Sequence, residues 1–356
     1  MPSIITHDTF GREIYSNLTD VIGHSEDEKQ AFLLGCQGPD VFFYGIINPL
    51  LPQVNKIGQK LHRNNCSETI CALAMSIPQI VEDTKDEEAP LIEAREIARA
   101  YCLGYLMHFG LDSKIHPFVF SQQFAYCDAG VPGLDRKNMS EVHVEIECEL
   151  DELVLSVKRE QTISTFDPST QTLKANNRML NIITKMFEFA LPISHKETPA
   201  PNAYRMSVKA YRQTLRWLYS VTGVKRELIG RFETMFRQHS YLRAMIHKNV
   251  KLKESIFDNH EHQTWKDPWD SHNRKESFWD LYNCAIKEGH DHVVSLAKAI
   301  DENCATSFND GSKEASKQRV RNIFSAVLQS TQNQNFYGCN EEITDPKTGR
   351  PRNMGE

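Results

Sequence analysis

The chain has 356 residues, of which 40% are apolar, and a formal net charge of −6. The acidic balance gives no general reason to expect nucleic-acid binding. Glycine (17) and proline (15) are scarce for this length, which disfavours turn-rich all-β architectures and favours helices.

Cysteine usage and the N-terminus bear on the cellular compartment. The nine cysteines, an odd number, include no C-x-x-C pair, and several lie inside apolar helical patterns. This usage is typical of free, buried thiols in a reducing compartment. The first residues lack a basic segment followed by an apolar core, and no apolar run reaches the roughly 20 residues that span a bilayer. We therefore expect a cytoplasmic protein without a signal peptide or a transmembrane segment.

Apolar periodicity predicts helices along most of the chain, and no stretch shows sustained β alternation, so we predict an all-α fold. The predicted helices cover residues 8–22, 28–36, 55–81, 89–115, 140–158, 173–192, 202–221, 223–247, 275–301 and 311–331. Loops are expected at 41–56 and 82–88. In domain terms we predict a metal-binding helical region over 1–160, further helices of the same domain over 161–331, and a polar, flexible tail over 332–356.

One predicted helix carries a histidine and a carboxylate four residues apart. His108 and Asp112 lie on the same face of the helix predicted over 89–115. His116 precedes Pro117, and proline pushes the residue before it out of the α region. We therefore expect His116 at the helix end, where it would serve a neighbouring metal ion.

The helix predicted over 140–158 repeats the spacing with His143 and Glu147. A surface ion pair is the better interpretation of any single pair of this kind. Two such pairs within about 40 residues favour a metal site, and imidazole with carboxylate is a ligand set that suits zinc. His24 lies in a polar segment, and we expect it at the surface.

The sequence resembles the zinc-dependent phospholipase C family, whose superfamily also contains single-strand nucleases. The resemblance runs from residue 1 to about 151, with a weaker similarity near 259–285. The matching pieces are Thr6-His7, Gly35-Cys36-Gln37-Gly38-Pro39-Asp40, Leu61-His62, Gly104-Tyr105-Leu106-Met107-His108-Phe109-Gly110-Leu111-Asp112-Ser113, His116-Pro117 and His143-x3-Glu147. Their order and residue types all agree with the family.

The resemblance implies two or three zinc ions held between helices of a phospholipase C/nuclease-like fold, with additional C-terminal helices. The implied ligands of the first ion are Asp40, His62, His108 and Asp112. Those of the second ion are His116, His143 and Glu147. His7 would bind the third ion, and Asp112 would bridge it to the first.

In the family a processed N-terminal tryptophan completes the third site, whereas Pro2 would be the terminus here after removal of Met1. The spacing from Asp112 to His116 is also shorter than in the secreted phospholipases.

By the same resemblance, the protein would be a zinc-dependent phosphoric ester hydrolase that cleaves a phosphodiester bond with zinc-activated water. Asp40 is the implied general base, and a role as a ligand alone is equally consistent. Tyr44, Asn259 and His262 are candidate substrate contacts, for which core packing or helix capping is the alternative interpretation. The substrate would be a phosphoester small molecule or a phospholipid head group.

Several alternatives stay open. A single-strand nuclease or a phosphomonoesterase of the same superfamily would use the same ions, although the acidic charge makes a nucleic-acid partner unlikely. A non-catalytic helical module stabilised by zinc would use a closed ligand set. Residues 201–260 hold twelve Lys and Arg against four Asp and Glu. This segment would either steer an anionic substrate or form a solvated helix face.

Overall fold

A computed structural model of the protein describes residues 3–51, 53–83, 91–131, 134–235, 240–248, 255–270, 272–305 and 313–340. Within these ranges the chain folds into α-helices with a single two-stranded antiparallel sheet, which confirms the predicted all-α class. None of the helices found in this part of the chain is both long and apolar enough to cross a membrane.

The α-helices are α1 (Ile4–Asn17), α2 (Thr19–Ile22), α3 (Glu26–Gly35), α4 (Val41–Tyr44), α5 (Val54–Arg63), α6 (Cys66–Asp83), α7 (Leu91–Cys127), α8 (Met139–Arg159), α9 (Pro168–Gln171), α10 (Asn177–His195), α11 (Ala203–Leu218), α12 (Val224–Thr234), α13 (Tyr241–Ala244), α14 (Phe278–Ala305) and α15 (Lys313–Thr331). Short 3-10 turns cover Gly38–Asp40, Gly45–Ile47 and Arg136–Asn138. Strands β1 (Trp265–Lys266) and β2 (Asn273–Arg274) pair with Trp265 opposite Arg274.

Backbone contacts divide the chain into two compact units, each built from three chain segments. The first unit comprises Met1–Thr9, Lys114–Thr172 and Arg212–Cys284. The second unit comprises Phe10–Ser113, Leu173–Tyr211 and Ala285–Glu356. The sequential division at residues 160 and 331 stays a prediction.

The core of the second unit forms around α6, which packs against α10 and α15. Ile70, Leu73 and Ile77 on α6 are fully buried, and burial of such a side chain contributes about 1.5–3 kcal/mol. The hydroxyls of Ser67 and Thr331 lie 2.7 Å apart and join α6 to the end of α15. In the first unit α8 is largely buried, and α13 packs against both α8 and α12.

Helix α7 continues through Pro117, so the expectation that His116 lies at a helix end is wrong. Proline removes one backbone hydrogen bond, and in a helix interior it costs about 3 kcal/mol. Phe118 and Val119 follow at buried positions, and about 1.5–3 kcal/mol from burying each of them offsets that cost. His116 therefore projects from a regular helix turn.

Two further boundaries differ from the predicted ones. The helix expected over 55–81 is divided into α5 and α6, because Asn65 adopts a left-handed φ of 52° that a continuous helix excludes. Asparagine tolerates this conformation better than most residues. Part of the loop expected over 41–56 forms α4 and the start of α5. Residues 84–88 of the other expected loop lie outside the described ranges.

Residues 332–340 are folded, in contrast to the flexible tail expected from residue 332. Phe336 and Asn335 are fully buried, and the Asn335 side-chain oxygen accepts hydrogen bonds from the backbone N–H groups of Tyr337 and Cys339. We call residues 332–340 the C-terminal turn. Although its composition is polar, the segment buries the Phe336 ring and forms these internal hydrogen bonds. Residues 341–356 lie outside the described part of the chain.

Candidate metal centres

The connection between α3 and α4 brings Asp40 close to α7. Gly35 allows this close approach, because a Cβ atom there would collide with the carbonyl oxygen of Tyr101. Gly38 has a left-handed φ of 49°, and a Cβ atom there would collide with the imidazole ring of His108. Both glycines of the Gly-Cys-Gln-Gly-Pro-Asp motif therefore make room for the site.

The first candidate metal centre lies in the second unit and is buried. One ligand atom from each of Asp40, His62 and His108 falls within a group whose members all lie within 4.8 Å of one another. His62 Nε2 is 3.0 Å from Asp40 Oδ1, and His108 Nε2 is 3.3 Å from Asp112 Oδ2. We call Asp40, His62, His108 and Asp112 the first set.

The second ring nitrogen of each histidine in the first set faces a backbone carbonyl. His62 Nδ1 lies 2.6 Å from the Gly58 oxygen, and His108 Nδ1 lies 3.0 Å from the Cys36 oxygen. A carbonyl only accepts, so Nδ1 carries a proton and donates it, and the lone pair of the neutral ring lies on Nε2. Metal-binding histidines have this arrangement.

The first set needs a cation. With Nδ1 protonated, the lone pair of His62 Nε2 faces a carboxylate oxygen of Asp40, and among the described residues neither atom has a hydrogen-bond partner. Burial would raise the pKa of Asp40, but the neighbouring imidazoles of His62 and His108 outweigh burial and lower it. Two imidazoles with two carboxylates form a donor set that zinc accepts.

The second candidate metal centre lies in the first unit and comprises His116, His143 and Glu147, which we call the second set. The Nε2 atoms of His143 and His116 lie 3.1 and 3.6 Å from Glu147 Oε1. His143 Nδ1 lies 2.8 Å from the side-chain oxygen of the buried Gln123, so this ring also turns Nε2 toward the carboxylate.

Glu147 has the electrostatics of a ligand. Its Oε2 is buried without a hydrogen-bond partner in the described part of the chain. Burial would raise the pKa of Glu147, but the neighbouring imidazoles of His143 and His116 outweigh burial and hold it well below its usual range. The carboxylate is therefore ionised in a buried position, where it requires a positive neighbour.

His7 is buried on α1 in the first unit, whereas His108 and Asp112 belong to the second unit. Its predicted role at a third ion stays a prediction. The same holds for the bridging role of Asp112.

Asp151 anchors the helix turn that carries His7. Its carboxylate accepts hydrogen bonds from the backbone N–H groups of Ile5 (3.2 Å) and Thr6 (2.7 Å) and from the Thr6 hydroxyl (2.6 Å). N–H groups in a first helical turn lack acceptors within their own helix, so Asp151 satisfies them. His247 Nε2 lies 3.0 Å from the same carboxylate. This role could not be predicted from the sequence, because the partners are about 100 residues or more apart.

The C-terminal turn covers the first set. The ring of Phe336 lies 5.1 Å from that of His62 and 5.3 Å from that of His108. The Phe336 N–H donates to the His62 carbonyl oxygen at 3.1 Å, and the Tyr337 ring lies stacked 6.2 Å from the His62 ring. The sequence analysis missed both residues. The one sequence feature that could have indicated them is that Phe336 and Tyr337 stand next to each other in a polar segment.

The three predicted substrate contacts make local structural contacts. Tyr44 is buried in the second unit and stacks on Tyr211, with ring centroids 3.6 Å apart. Asn259 closes a turn, since its side chain bonds the N–H and the carbonyl of Gln263 at 3.0 Å each. His262 Nδ1 lies 3.2 Å from a backbone carbonyl. Packing and turn closure account for these contacts, and a role in substrate binding stays a prediction.

Comparison with known proteins identifies the family. A family model described as zinc dependent phospholipase C matches residues 6–191, which is more than half of the chain. No curated protein and no solved structure matches the sequence. The matched segment contains every residue of the first and second sets, and the C-terminal turn lies beyond it. The chain therefore belongs to the zinc dependent phospholipase C family.

Proposed function

We propose that the protein is a phospholipase C-like zinc-dependent phosphoric ester hydrolase that cleaves a phosphodiester bond. The observation that carries this proposal is the pair of buried sets, in which imidazole Nε2 atoms face carboxylate oxygens. His62, His108, His116 and His143 would hold zinc through Nε2. When bound, zinc supplies Lewis acidity, which lowers the pKa of water toward neutrality and offsets the negative charge of phosphoryl oxygens.

Asp40 is the proposed general base of the reaction. Its carboxylate is ionised, so it has lone pairs with which to accept a proton from the attacking water, while its lowered pKa makes it a weaker base and favours the ligand role. Its position beside His62 also makes it a ligand. Asp40→Asn distinguishes the two roles, because loss of a base alone lowers turnover while zinc content is retained.

The proposed substrate is a phosphoester small molecule or a phospholipid head group, which the family description supports. We propose a cytoplasmic location because all nine cysteines are free thiols and seven of them are buried. The second candidate function is a non-catalytic zinc-stabilised module. It is favoured by the aromatic cover over the first set, since structural zinc sites are closed.

Zinc analysis with a substrate panel tests the proposal. We expect zinc in the purified protein, and turnover of a chromogenic phosphodiester that falls at least 100-fold in His108→Ala. The matched control is His24→Ala, whose side chain is 73% exposed. Parallel assays with a phosphomonoester and single-stranded DNA decide between the related activities. A protein that purifies without zinc would refute the proposal, and bound zinc without turnover of any phosphoester would favour the structural module.

A further inference from the structure

Helix α12 turns its apolar face to solvent. Val224 and Leu228 are 59% and 61% exposed, Phe232 is 64% exposed, and Met235 directly after the helix is 75% exposed. Their spacing of three and four residues places them on one side of the helix. A helix that packs only for stability buries such a face, so this orientation needs another explanation.

Charged contacts on the opposite face fix this orientation. Arg226 Nη2 lies 3.0 and 3.1 Å from the two carboxylate oxygens of Glu145 on α8, and Arg226 Nε donates to the Ile246 carbonyl at 3.2 Å. Gly230 is buried on this side as well, against the Arg243 side chain. The polar side of α12 therefore holds the helix on the first unit and leaves the apolar side outward.

The end of α11 extends the exposed apolar surface. Trp217 and Val221 are 61% and 44% exposed. Lys225 Nζ donates to the carbonyl oxygens of Trp217 (2.9 Å) and Tyr219 (2.7 Å), so the end of α11 lies beside the start of α12. Among the residues that the structure describes, sixteen large apolar side chains are exposed, and seven of them fall within residues 217–242. This density marks a contiguous patch rather than scattered surface residues.

Basic residues accompany the patch. Arg216 precedes Trp217, and Arg231 lies three residues after Leu228, on the apolar side of α12; both arginines are exposed. Residues 201–260 hold twelve basic against four acidic residues in a chain whose net charge is −6, so the positive charge is local. A helix with exposed Trp, Phe and Leu beside Arg and Lys is typical of binding at a membrane interface.

We propose that the exposed surface of α11 and α12 docks the protein onto an anionic lipid bilayer, with the apolar side chains entering the interface and Arg216 and Arg231 contacting lipid phosphates. The proposal does not depend on phosphodiester hydrolysis, since docking needs neither ligand set. It has a consequence for the site, because Glu145, which holds Arg226, lies between His143 and Glu147 on α8. Docking would bring the helix of the second set to the lipid surface.

Flotation of the full-length, zinc-loaded protein with vesicles tests the proposal. We expect binding to vesicles of phosphatidylcholine and phosphatidylglycerol in equal parts, at least about tenfold weaker binding to phosphatidylcholine alone, and weakening by added salt. The triple variant Val224→Ser/Leu228→Ser/Met235→Ser should lower partitioning at least tenfold. The matched control is Val157→Ser/Ile193→Ser/Val294→Ser, which changes three exposed apolar residues elsewhere and should bind like the native protein.

Two further variants separate the contributions. Arg216→Gln/Arg231→Gln should weaken binding to anionic vesicles and leave the weaker binding to phosphatidylcholine unchanged. Trp217→Phe should abolish the vesicle-dependent blue shift of tryptophan emission while the protein still floats with vesicles. Equal zinc content and thermal midpoints establish that the variants are folded.

Three results would overturn the proposal. The first is recovery of the native protein entirely in the vesicle-free fraction. The second is binding of the Val224, Leu228 and Met235 triple variant that equals that of its control. The third is self-association in sedimentation that this triple variant abolishes, with no vesicle binding, which would assign the surface to a contact between two copies of the chain. Each result leaves the hydrolysis of a water-soluble phosphodiester as a separate test of the proposed function.

Discussion

At the scale of single residues, the groups that hydrogen-bond to the proposed ligands set the orientation of those ligands. His143 offers Nε2 to Glu147 because Gln123 accepts a hydrogen bond from Nδ1. Partners of this kind fix the tautomer and the ring orientation, and their loss typically lowers metal affinity 10- to 100-fold. The metal affinity of the site therefore depends on these hydrogen-bond partners as well as on the ligands.

We predict that Gln123→Ala lowers zinc affinity at the second set about 10- to 100-fold, because the His143 ring loses the acceptor that orients it. Competition with a fluorescent chelator measures the affinity. Gln122→Ala is the control, because the Gln122 side chain bonds the Phe257 carbonyl instead of a ligand. Equal zinc affinity in the two variants would contradict the assignment of Gln123.

Glu152 gives a prediction of pH dependence. Burial raises its pKa to about 7, although the charge of His247 acts against that rise, and Glu152 Oε1 has no hydrogen-bond partner among the described residues. The folded state thus binds this proton more tightly than the unfolded state does. The resulting stabilisation is fully present below pH 4.5 and is lost as the pH rises through about 7, by roughly 3 kcal/mol.

We therefore expect Glu152→Gln to be more stable than the native protein at pH 8 and to flatten the decline between pH 5 and 8. Urea unfolding over this range is the measurement, with the exposed Glu68→Gln as control. Some decline should remain because of His247. Burial would lower the pKa of His247, but its hydrogen bond with Asp151 outweighs burial and raises that pKa. The stability that protonated His247 contributes to the folded state is therefore also lost as the pH rises. Parallel curves for Glu152→Gln and the native protein would refute the prediction.

The sequence alone predicted the site residues that lie close together in the chain, but not their partners that lie far away in the chain. His108 with Asp112 and His143 with Glu147 were visible because a helix repeats every 3.6 residues. The Cys36 carbonyl and Gln123 were not, since neither a backbone oxygen nor a single glutamine has a spacing signature. The role of Asp151 has no local signature either, because its partners Thr6 and His247 are far away in the chain.

At the scale of elements, the C-terminal turn and helix α7 show where periodicity fails. Pro117 predicted a helix end, but buried residues on both sides keep α7 intact. The C-terminal turn has no period at all, and its position depends on Phe336 packing against His62 and His108. Tertiary burial outweighs local preference in both cases.

We predict that Phe336→Ala destabilises the protein by about 3–5 kcal/mol and accelerates zinc loss from the first set, because a buried aromatic ring is replaced by a cavity beside two ligands. Calorimetry and the rate of zinc transfer to a chelator are the measurements. Phe324→Ala is the control, since Phe324 lies exposed on α15. If the two variants lose zinc at the same rate, the C-terminal turn does not protect the first set.

At the scale of the whole molecule, the fold class followed from composition and periodicity, whereas the division into units did not. Each unit is assembled from three separated chain segments. Helical periodicity reports which face of a segment is buried and carries no information about the segment that covers it. The predicted boundaries could therefore only follow the order of the sequence.

Metal removal gives a prediction at this scale. Each unit contains one candidate ligand set, and buried Asp40 and Glu147 would lose a positive neighbour on removal of zinc bound there. Zinc at 100 times its dissociation constant stabilises by about 2.7 kcal/mol per site, so chelation should lower the thermal midpoint, and added zinc should restore it. The double variant His62→Ala/His143→Ala should show no such response. An unchanged midpoint after verified zinc removal would count against both sets.

The C-terminal turn also has a consequence for biosynthesis. The ribosome synthesises Asp40, His62 and His108 early, and it adds Phe336 about 230 residues after His108. At about 5–20 residues per second, that interval lasts roughly ten to fifty seconds. During translation the first set is therefore complete in its ligands before its aromatic cover exists. We therefore expect zinc to reach the proposed ligands before Phe336 packs against His62 and His108.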